Sequence, residues 1–205
     1  MASTFDSYVL LAVPLFMLSG ELMNNGGVTD RMYDFAQKLV GHIRGGLAHV
    51  NVIGSMIFAG MSGSAVADAA GLGNMEIKAM TDRGFDPDFS AAVTAASSTV
   101  GPVIPPSIPF VLYGSMSGVS VGALFLGGFI PGVLMGIAMM ILCYFISVKR
   151  NYPRDKRATF KELTKATLIA IPSLITPMII IGGIMMGVCT PTEAAVLAVV
   201  YGLIL

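Results

Sequence analysis

The sequence predicts an all-α integral membrane protein, and three observations carry this prediction. Hydrophobic residues make up 55% of the 205 residues and charged residues only 12%, which is more apolar surface than a soluble domain of this size can bury. Two uncharged apolar runs, residues 123–148 and 166–188, are long enough to cross a bilayer as helices. A third apolar region, around residue 100, is interrupted by closely spaced prolines. We therefore expect transmembrane helices, one of which is discontinuous.

Residues 1–46 are predicted to contain a transmembrane helix followed by an amphipathic helix. Residues 8–23 are mostly apolar and about long enough to span, and the Asn-Asn-Gly-Gly sequence after them ends the helix. Thr29 is predicted to cap the next helix. In that helix apolar residues recur at helical spacing opposite a charged face, which is typical of a helix lying along a membrane interface.

Residues 47–80 are predicted to form a re-entrant helical hairpin. Two apolar arms, each too short to cross the bilayer, meet at a Gly/Ser-rich tip, residues 60–64. Asp68 lies one turn beyond the tip, and an ionisable group at membrane depth is a functional candidate by default; the alternative is a carboxylate that caps the helix after the tip. His42 and His49 flank the entrance of the hairpin, where we expect them at the interface and not in a site.

Residues 88–121 are predicted to be one crossing that is broken in its middle. Four prolines and Gly101 fall between Ser97 and Pro109, and each proline removes an amide donor and clashes with the preceding turn. Non-helical backbone is tolerated in lipid only where it is buried in protein or lines a polar cavity. Broken helices of this kind form ion and anion sites in secondary transporters; the alternative is a kinked helix without a ligand.

Residues 122–205 are predicted to hold further transmembrane helices joined by a basic loop, residues 149–165. Seven of the 12 Lys and Arg residues fall in this loop, which places it in the cytoplasm; a patch that binds lipid or DNA is the less common alternative. Both ends of the hairpin are then cytoplasmic as well. Thr190, Pro191 and Glu193 have the residue types of N-cap, N1 and N3 in a new helix. The last apolar run continues to Leu205, which suggests a part of something longer.

The sequence gives little support to a catalytic or transition-metal centre. Cys143 and Cys189 lie in apolar runs without metal-ligand spacing, so we expect packed thiols. Ser62 or Ser64 beside Asp68 is the only candidate pair of nucleophile and base, with no histidine or lysine nearby. A channel would need a continuous lined pore, which one closed hairpin does not supply. An ion channel and an intramembrane enzyme are the alternatives to a transporter.

The tip and the break are both predicted near the middle of the membrane. Many carbonyls and hydroxyls with few fixed charges suit a dehydrated hard cation, and Na⁺ is the natural candidate among coupling ions. Free amides at the ends of half-helices suit a carboxylate beside the ion. Gly63, Ser98 and Thr99 are predicted to lie close to the substrate or the ion.

Several stretches of the chain resemble the large membrane subunit of tripartite ATP-independent periplasmic (TRAP) transporters. These stretches are GMSGSAVAD at residues 60–68, AASSTVGPVIPPSIP at residues 95–109, the glycines before TPTEAA at residues 190–195, and PLF followed by GELM near the N-terminus. The resemblance implies an elevator-type, Na⁺-coupled importer of organic acids, of the C4-dicarboxylate or sialic acid type, in the bacterial inner membrane. It also implies a small four-helix membrane subunit and a periplasmic substrate-binding protein as partners.

The resemblance further implies a division of the chain and a Na⁺ site. Residues 1–46 would form part of a scaffold, residues 47–121 half of the moving transport domain, and residues 122–205 further transmembrane helices. By motif match, the Na⁺ ligands come from the tip and from the carbonyls of the break: Ser62, Ser64, Asp68, Gly101, Ile104 and Pro106.

Overall fold

A computed structural model describes residues 8–205, and every regular element in this range is helical. A short 3₁₀ turn, Tyr8–Leu11, precedes the α-helices; residues 1–7 of the predicted scaffold segment lie outside the described residues. The helices are α1 Ala12–Asn25, α2 Val28–Val40, α3 Gly46–Ser62, α4 Ala65–Gly71, α5 Gly73–Asp82, α6 Pro87–Ser98, α7 Ile108–Ser117, α8 Val121–Lys149, α9 Phe160–Met185 and α10 Pro191–Ile204.

Helix α3 forms the centre of the fold and is buried along most of its length. The helices α6, α8 and α9 pack around it, and α1 and α2 contact it as well. Its sequence is uncharged and rich in glycine, alanine and serine, which allows neighbouring helices to approach closely. The first arm of the predicted hairpin is therefore the element around which the rest of the chain packs.

His49, predicted to lie at the membrane interface, is buried within the protein and only 3% exposed. The loop after α8 contacts the residue that precedes α3. In that contact the amide of Gly45 donates a hydrogen bond to the carbonyl of Pro153 at 3.1 Å. A contact between residues so far apart in sequence cannot be deduced from local pattern.

Helices α1 and α2 meet at an angle of 72°. Gly27 adopts a left-handed conformation with φ 70° and precedes the first residue of α2. The prediction of Thr29 as N-cap is therefore wrong: Thr29 lies inside the helix, where its hydroxyl donates to Asn24 Oδ1 at 3.1 Å. The amphipathic character of α2 is confirmed, since Met32 and neighbouring apolar residues are buried while Asp34 is exposed.

The predicted hairpin is observed as two helical arms joined by a tight turn. Helix α3 ends at Ser62, Gly63 adopts φ 61°, and Ser64 begins the returning arm. The Ser64 hydroxyl caps α4 by accepting a hydrogen bond from the Ala67 amide at 3.3 Å. The returning arm is divided at Leu72 into α4 and α5.

The predicted break is also observed, between α6 and α7. Residues 99–107 leave helical geometry, and Ser107 begins α7 by accepting a hydrogen bond from the Phe110 amide at 3.2 Å. The Ser107 hydroxyl donates in turn to the carbonyl of Pro102 at 2.5 Å. Ser107 therefore satisfies polar groups on both sides of the break.

Helices α8 and α9 are each long and apolar enough to cross a membrane, whereas α1 passes that test only when counted with α2 as one bent span. Helix α9 begins at Phe160, earlier than the predicted residue 166, because Thr159 and Glu162 form a capping box. The non-helical part of the basic loop is correspondingly shorter than residues 149–165. The second capping box, formed by Thr190 and Glu193 at the start of α10, is confirmed.

Candidate functional site

The tip of the hairpin is in direct contact with the end of the break. The amide of Ile108 donates to the carbonyl of Gly63 at 3.4 Å. A Cβ atom at Gly63 would lie 3.2 Å from that amide and would collide with the carbonyl oxygen of Pro106. Glycine is thus needed at position 63 both for its positive φ and for this close approach.

The beginning of the break contacts the same turn from the other side. A Cβ atom at Gly101 would lie 3.2 Å from the Ala65 amide nitrogen and 3.2 Å from the Ser64 carbonyl carbon. On the opposite side of the tip, a Cβ at Gly60 would lie 3.0 Å from Cβ of Pro177 in α9. The two predicted irregular stretches therefore form one continuous site.

Most carbonyls in the described break accept no hydrogen bond from a backbone amide, and the three predicted ion ligands are among them. The amides of Thr99, Val100 and Gly101 bond back to the last turn of α6, and the amide of Ile104 donates to the Val100 carbonyl at 2.9 Å. Within the described residues, no backbone amide donates to the carbonyls of Gly101, Ile104 and Pro106. These are the three carbonyls predicted as ion ligands, and they remain available as acceptors.

The predicted hydroxyl groups line the same region. Ser62 is buried, and its Oγ is 3.5 Å from the Ser64 amide. The hydroxyls of Ser98 and Thr99 donate to carbonyls within α6, at 2.8 Å and 2.6 Å. Because these hydroxyl groups use their protons in bonds to the helix, their oxygen lone pairs remain free to bind a cation or accept a hydrogen bond. Ser98 is buried, whereas Thr99 is exposed beside it.

Asp68 is the one predicted site residue with a formal charge, and it is 1% exposed. The hydroxyls of Ser55 and Ser98 lie beside its carboxyl group, but they donate to Ser97 and Thr94. Asp68 Oδ1 has no hydrogen-bond partner within the described residues. Ser64, and not Asp68, is the side chain that caps α4. A buried carboxylate without a counter-charge is costly, so this place favours a cation.

Glu76 is a second buried carboxyl group on the same arm, and the sequence analysis missed it. It is fully buried, and neither carboxyl oxygen has a partner within the described residues. Oε1 occupies the space left by Gly54, where a Cβ would lie 3.1 Å away. The signal in the sequence was the same as for Asp68, an acid within an apolar arm, but Glu76 stands close to the charged end of that arm.

A buried polar network connects α3 to α6 behind the site. Asn51 Nδ2 donates to Thr94 Oγ1 at 2.7 Å, and Asn51 Oδ1 accepts from the Ser97 hydroxyl at 2.8 Å. The Ser55 hydroxyl donates to Ser97 at 3.0 Å. These bonds fix the first arm of the hairpin against the helix that leads into the break. Sequence reasoning missed them, although Asn51 and Ser55 stand one helical turn apart in an apolar run.

Two other features, a groove near α10 and the predicted pair of nucleophile and base, were compared with this site. A groove of about 450 Å³ between α7, α8 and the start of α10 contains none of the predicted residues. Within the described residues, neither the Ser62 nor the Ser64 hydroxyl is hydrogen-bonded to the Asp68 carboxyl group, so the pair of nucleophile and base is not formed. What the site offers is a set of neutral oxygens at the tip and the break, with the buried carboxyl group of Asp68 beside Ser98. Oxygens of this kind suit a hard monovalent cation.

Comparison with known proteins finds matches over the whole chain. Residues 1–205 match the family described as tripartite ATP-independent periplasmic transporter, DctM component. The chain is 52% identical over 205 residues to the sialic acid TRAP transporter large permease protein SiaM of Vibrio cholerae, covering 100% of this chain and 48% of that protein. It is 48% identical over 202 residues to the sialic acid TRAP transporter permease protein SiaT of Haemophilus influenzae, covering 98% and 33%.

A third relative has a different named substrate. The chain is 42% identical over 198 residues to the C4-dicarboxylate TRAP transporter large permease protein DctM of Pseudomonas aeruginosa, covering 97% of this chain and 46% of that protein. The chain thus spans between a third and a half of the length of these three relatives.

Proposed function

Because the chain belongs to the DctM component family of tripartite ATP-independent periplasmic transporters, we propose that it contributes an ion-binding half of a Na⁺-coupled importer of organic acids. The observation that supports this proposal is the contact between the hairpin tip and the break, which brings unpaired carbonyls of the break against Gly63, Ser64 and Ala65. The buried Asp68 lies one turn further along the same arm, beside Ser98. Such a set of oxygens can replace the hydration shell of a small cation.

The residues present fit a Na⁺ ion. In the proposed site the carbonyl oxygens of Gly101, Ile104 and Pro106 face the cation from the break, and the hydroxyls of Ser62 and Ser64 approach it from the tip. Asp68 supplies the negative charge that offsets the ion. Bound Na⁺ would neutralise the buried carboxylate and hold the two irregular stretches together.

The proposed substrate is an organic acid. The relatives that match this chain are named for sialic acid and for C4-dicarboxylates, and both kinds of molecule carry carboxylate groups. Helices α4 and α7 each begin next to the tip, and the amides of a helix N-terminus attract a carboxylate. We place the substrate carboxylate next to these two helix starts, near Gly63, Ser98 and Thr99.

The proposed mechanism is of the elevator type. Residues 47–121 would move as part of a transport domain, while α1 and α2 belong to the scaffold, with α2 lying along the membrane interface. The proposed partners are a small four-helix membrane subunit and a periplasmic binding protein that delivers the substrate. The proposed location is the bacterial inner membrane, with the loop after α8 in the cytoplasm.

The experiment is an uptake assay in proteoliposomes with the assembled transporter and its binding protein. Uptake should saturate, require a Na⁺ gradient and require the binding protein; a channel or an enzyme would not show all three dependences. Gly101→Val should reduce uptake to background, because its side chain would separate the break from Ser64 and Ala65. Gly127→Val is the matched control, since a Cβ there meets nothing within 4 Å. Normal Na⁺-dependent uptake by Gly101→Val would disprove the proposed site.

A further inference from the structure

A polar depression of about 300 Å³ lies far from the tip and the break. It is formed where the end of α2, the end of α5, the loop before α9 and the first turn of α9 meet. Its charged lining consists of four basic and two acidic side chains, namely Lys38, Arg83, Lys156, Arg157, Asp155 and Glu162. The basic residues thus exceed the acidic ones, although they come from distant parts of the sequence.

Asp155 gives this depression a defined shape. Its carboxylate accepts a hydrogen bond from Gln37 Nε2 at 2.8 Å and forms an ion pair with Arg83. Its backbone amide donates to the carbonyl of Gly41 at 2.9 Å. The loop is therefore bonded to both α2 and α5, and the charge of Arg83 is offset by Asp155.

The other three basic side chains are not offset in this way. The nearest acid to Lys38 is Asp34, at 4.0 Å on the same helix. Among the described residues, neither Lys156 nor Arg157 forms an ion pair. Glu162 is engaged by the Thr159 amide at 2.7 Å in the capping box of α9. The depression therefore presents a surplus of positive charge on a fixed backbone.

The depression lies next to the point where a transmembrane helix begins. Helix α9 starts at Phe160, directly after the loop, and is apolar and long enough to cross a bilayer. Phe160 itself is 84% exposed, and the basic residues of a loop next to the end of such a helix lie close to the charged membrane surface. A polar ligand at this depth is therefore most simply a part of the membrane surface.

We propose that this depression binds the phosphodiester headgroup of an anionic phospholipid. The guanidinium of Arg157 can donate two parallel hydrogen bonds to a phosphate, while Lys38 and Lys156 supply point charges. A lipid bound here would contact both α2 and α5, which lie on either side of the proposed boundary between scaffold and transport domain. The site does not depend on the proposed transport function.

The test measures binding of phosphatidylglycerol to the purified transporter in a neutral detergent. Retained lipids are counted by native mass spectrometry, and the thermal midpoint is recorded with phosphatidylglycerol, with phosphatidylcholine and with inorganic phosphate. The double variant Lys156→Gln with Arg157→Gln should bind phosphatidylglycerol about 25-fold more weakly, at about fivefold for each cation. The double variant Lys161→Gln with Lys165→Gln loses the same charge from the same stretch, outside the depression, and should bind as the wild type does.

The possible outcomes either support or overturn the proposed lipid site. Specific loss in the Lys156 and Arg157 variant, with stabilisation by phosphatidylglycerol alone, supports the site. Equal loss in both double variants would show general attraction between a basic loop and an anionic lipid, and would overturn it. Equal stabilisation by phosphatidylcholine would exclude recognition of charge. Equal stabilisation by inorganic phosphate would show a site for free phosphate instead of a lipid.

Discussion

The backbone amide of Ile108 donates a hydrogen bond to the carbonyl of Gly63 at 3.4 Å. The first residue of α7 is therefore hydrogen-bonded to the turn of the hairpin, although α6 and the whole break lie between them in the sequence. The same approach leaves no room for a side chain at Gly63, whose Cβ would lie 3.2 Å from that amide. The tip and the break consequently form a single structural unit.

The first prediction tests this unit by comparing two glycines. Gly63 and Gly84 both have positive φ, 61° and 85°, but a Cβ at Gly84 meets nothing within 4 Å. Alanine should cost about 1–2 kcal/mol at either position for the left-handed conformation. Gly63→Ala should lose about 1–3 kcal/mol more through the collision with Pro106. Unfolding in detergent measures both variants, and equal losses would contradict the contact between tip and break.

Local sequence rules predicted the elements that begin or end at special residues. The four prolines and Gly101 predicted the end of helical geometry near Ser98, and the observed helix α6 ends there. The Gly/Ser tip predicted a turn at residues 60–64; the turn is observed at Gly63 and Ser64, whereas residues 60–62 still belong to α3 because the helix ends only at the left-handed Gly63. The capping residues Thr190 and Glu193 predicted the start of α10. These rules succeed because the energetic cause lies within a few residues of the effect.

One error and one omission have identifiable structural causes. Thr29 was predicted as an N-cap from residue type, but the left-handed Gly27 starts α2 earlier. Of the candidate site, the proline and glycine pattern predicted the free carbonyls. It could not predict the burial of Glu76, because that depends on Gly54 in the other arm.

The second prediction concerns the charge of Asp68. Asp68→Asn keeps the shape of the side chain but removes the negative charge beside the proposed Na⁺ site. The Na⁺ concentration for half-maximal uptake should rise about tenfold or more, equivalent to at least about 1.4 kcal/mol. The amount of membrane-inserted protein should stay the same. Asp88→Asn, at an exposed position in α6, is the control. An unchanged Na⁺ midpoint in Asp68→Asn would mean that Asp68 has only a structural role.

The third prediction concerns Glu76. Glutamine has the same shape and no charge, and an unpaired buried charge costs several kcal/mol. Glu76→Gln should therefore keep or raise the thermal midpoint in detergent. Glu76→Ala should lose about 2–3 kcal/mol, because it leaves a cavity opposite Gly54. If the glutamine variant is clearly less stable than the wild type, the negative charge itself is required, and a bound cation must offset it.

The fourth prediction concerns orientation in the membrane. Asp82 and Lys161 are exposed near the two predicted cytoplasmic regions, and Met116 is 84% exposed at the far end of α7. Single cysteines at these positions are introduced after Cys143 and Cys189 have been replaced. An impermeant thiol reagent added to intact cells should label the cysteine at 116 and not those at 82 and 161. Labelling at 82 or 161 from outside would reverse the assigned orientation.

The last prediction follows from the contact between Asp86 and Tyr152 at the surface of the loop after α8. The Tyr152 hydroxyl donates to Asp86 Oδ2 at 2.6 Å, and Arg150 donates to the same oxygen at 2.6 Å. These two hydrogen bonds, that of Tyr152 first, lower the pKa of the Asp86 carboxyl below its ordinary value. The Tyr152 ring also stacks on Phe85, with centroids 4.4 Å apart.

A lowered pKa fixes the sign of the pH dependence. The contact stabilises the fold fully above the pKa that Asp86 has in the unfolded chain, about 3.9, and this contribution is lost as the pH falls through the lower folded value. Tyr152→Phe keeps the aromatic stack and removes the first of the two hydrogen bonds. Its thermal midpoint should therefore fall less than that of the wild type between about pH 5 and pH 3, and Asp86→Asn should show the same reduced slope. Because Asp86 and Arg150 are both about half exposed, high salt should weaken their ion pair, which Tyr152→Phe retains. Identical slopes in all three proteins at low salt would show that Asp86 is not stabilised by Tyr152.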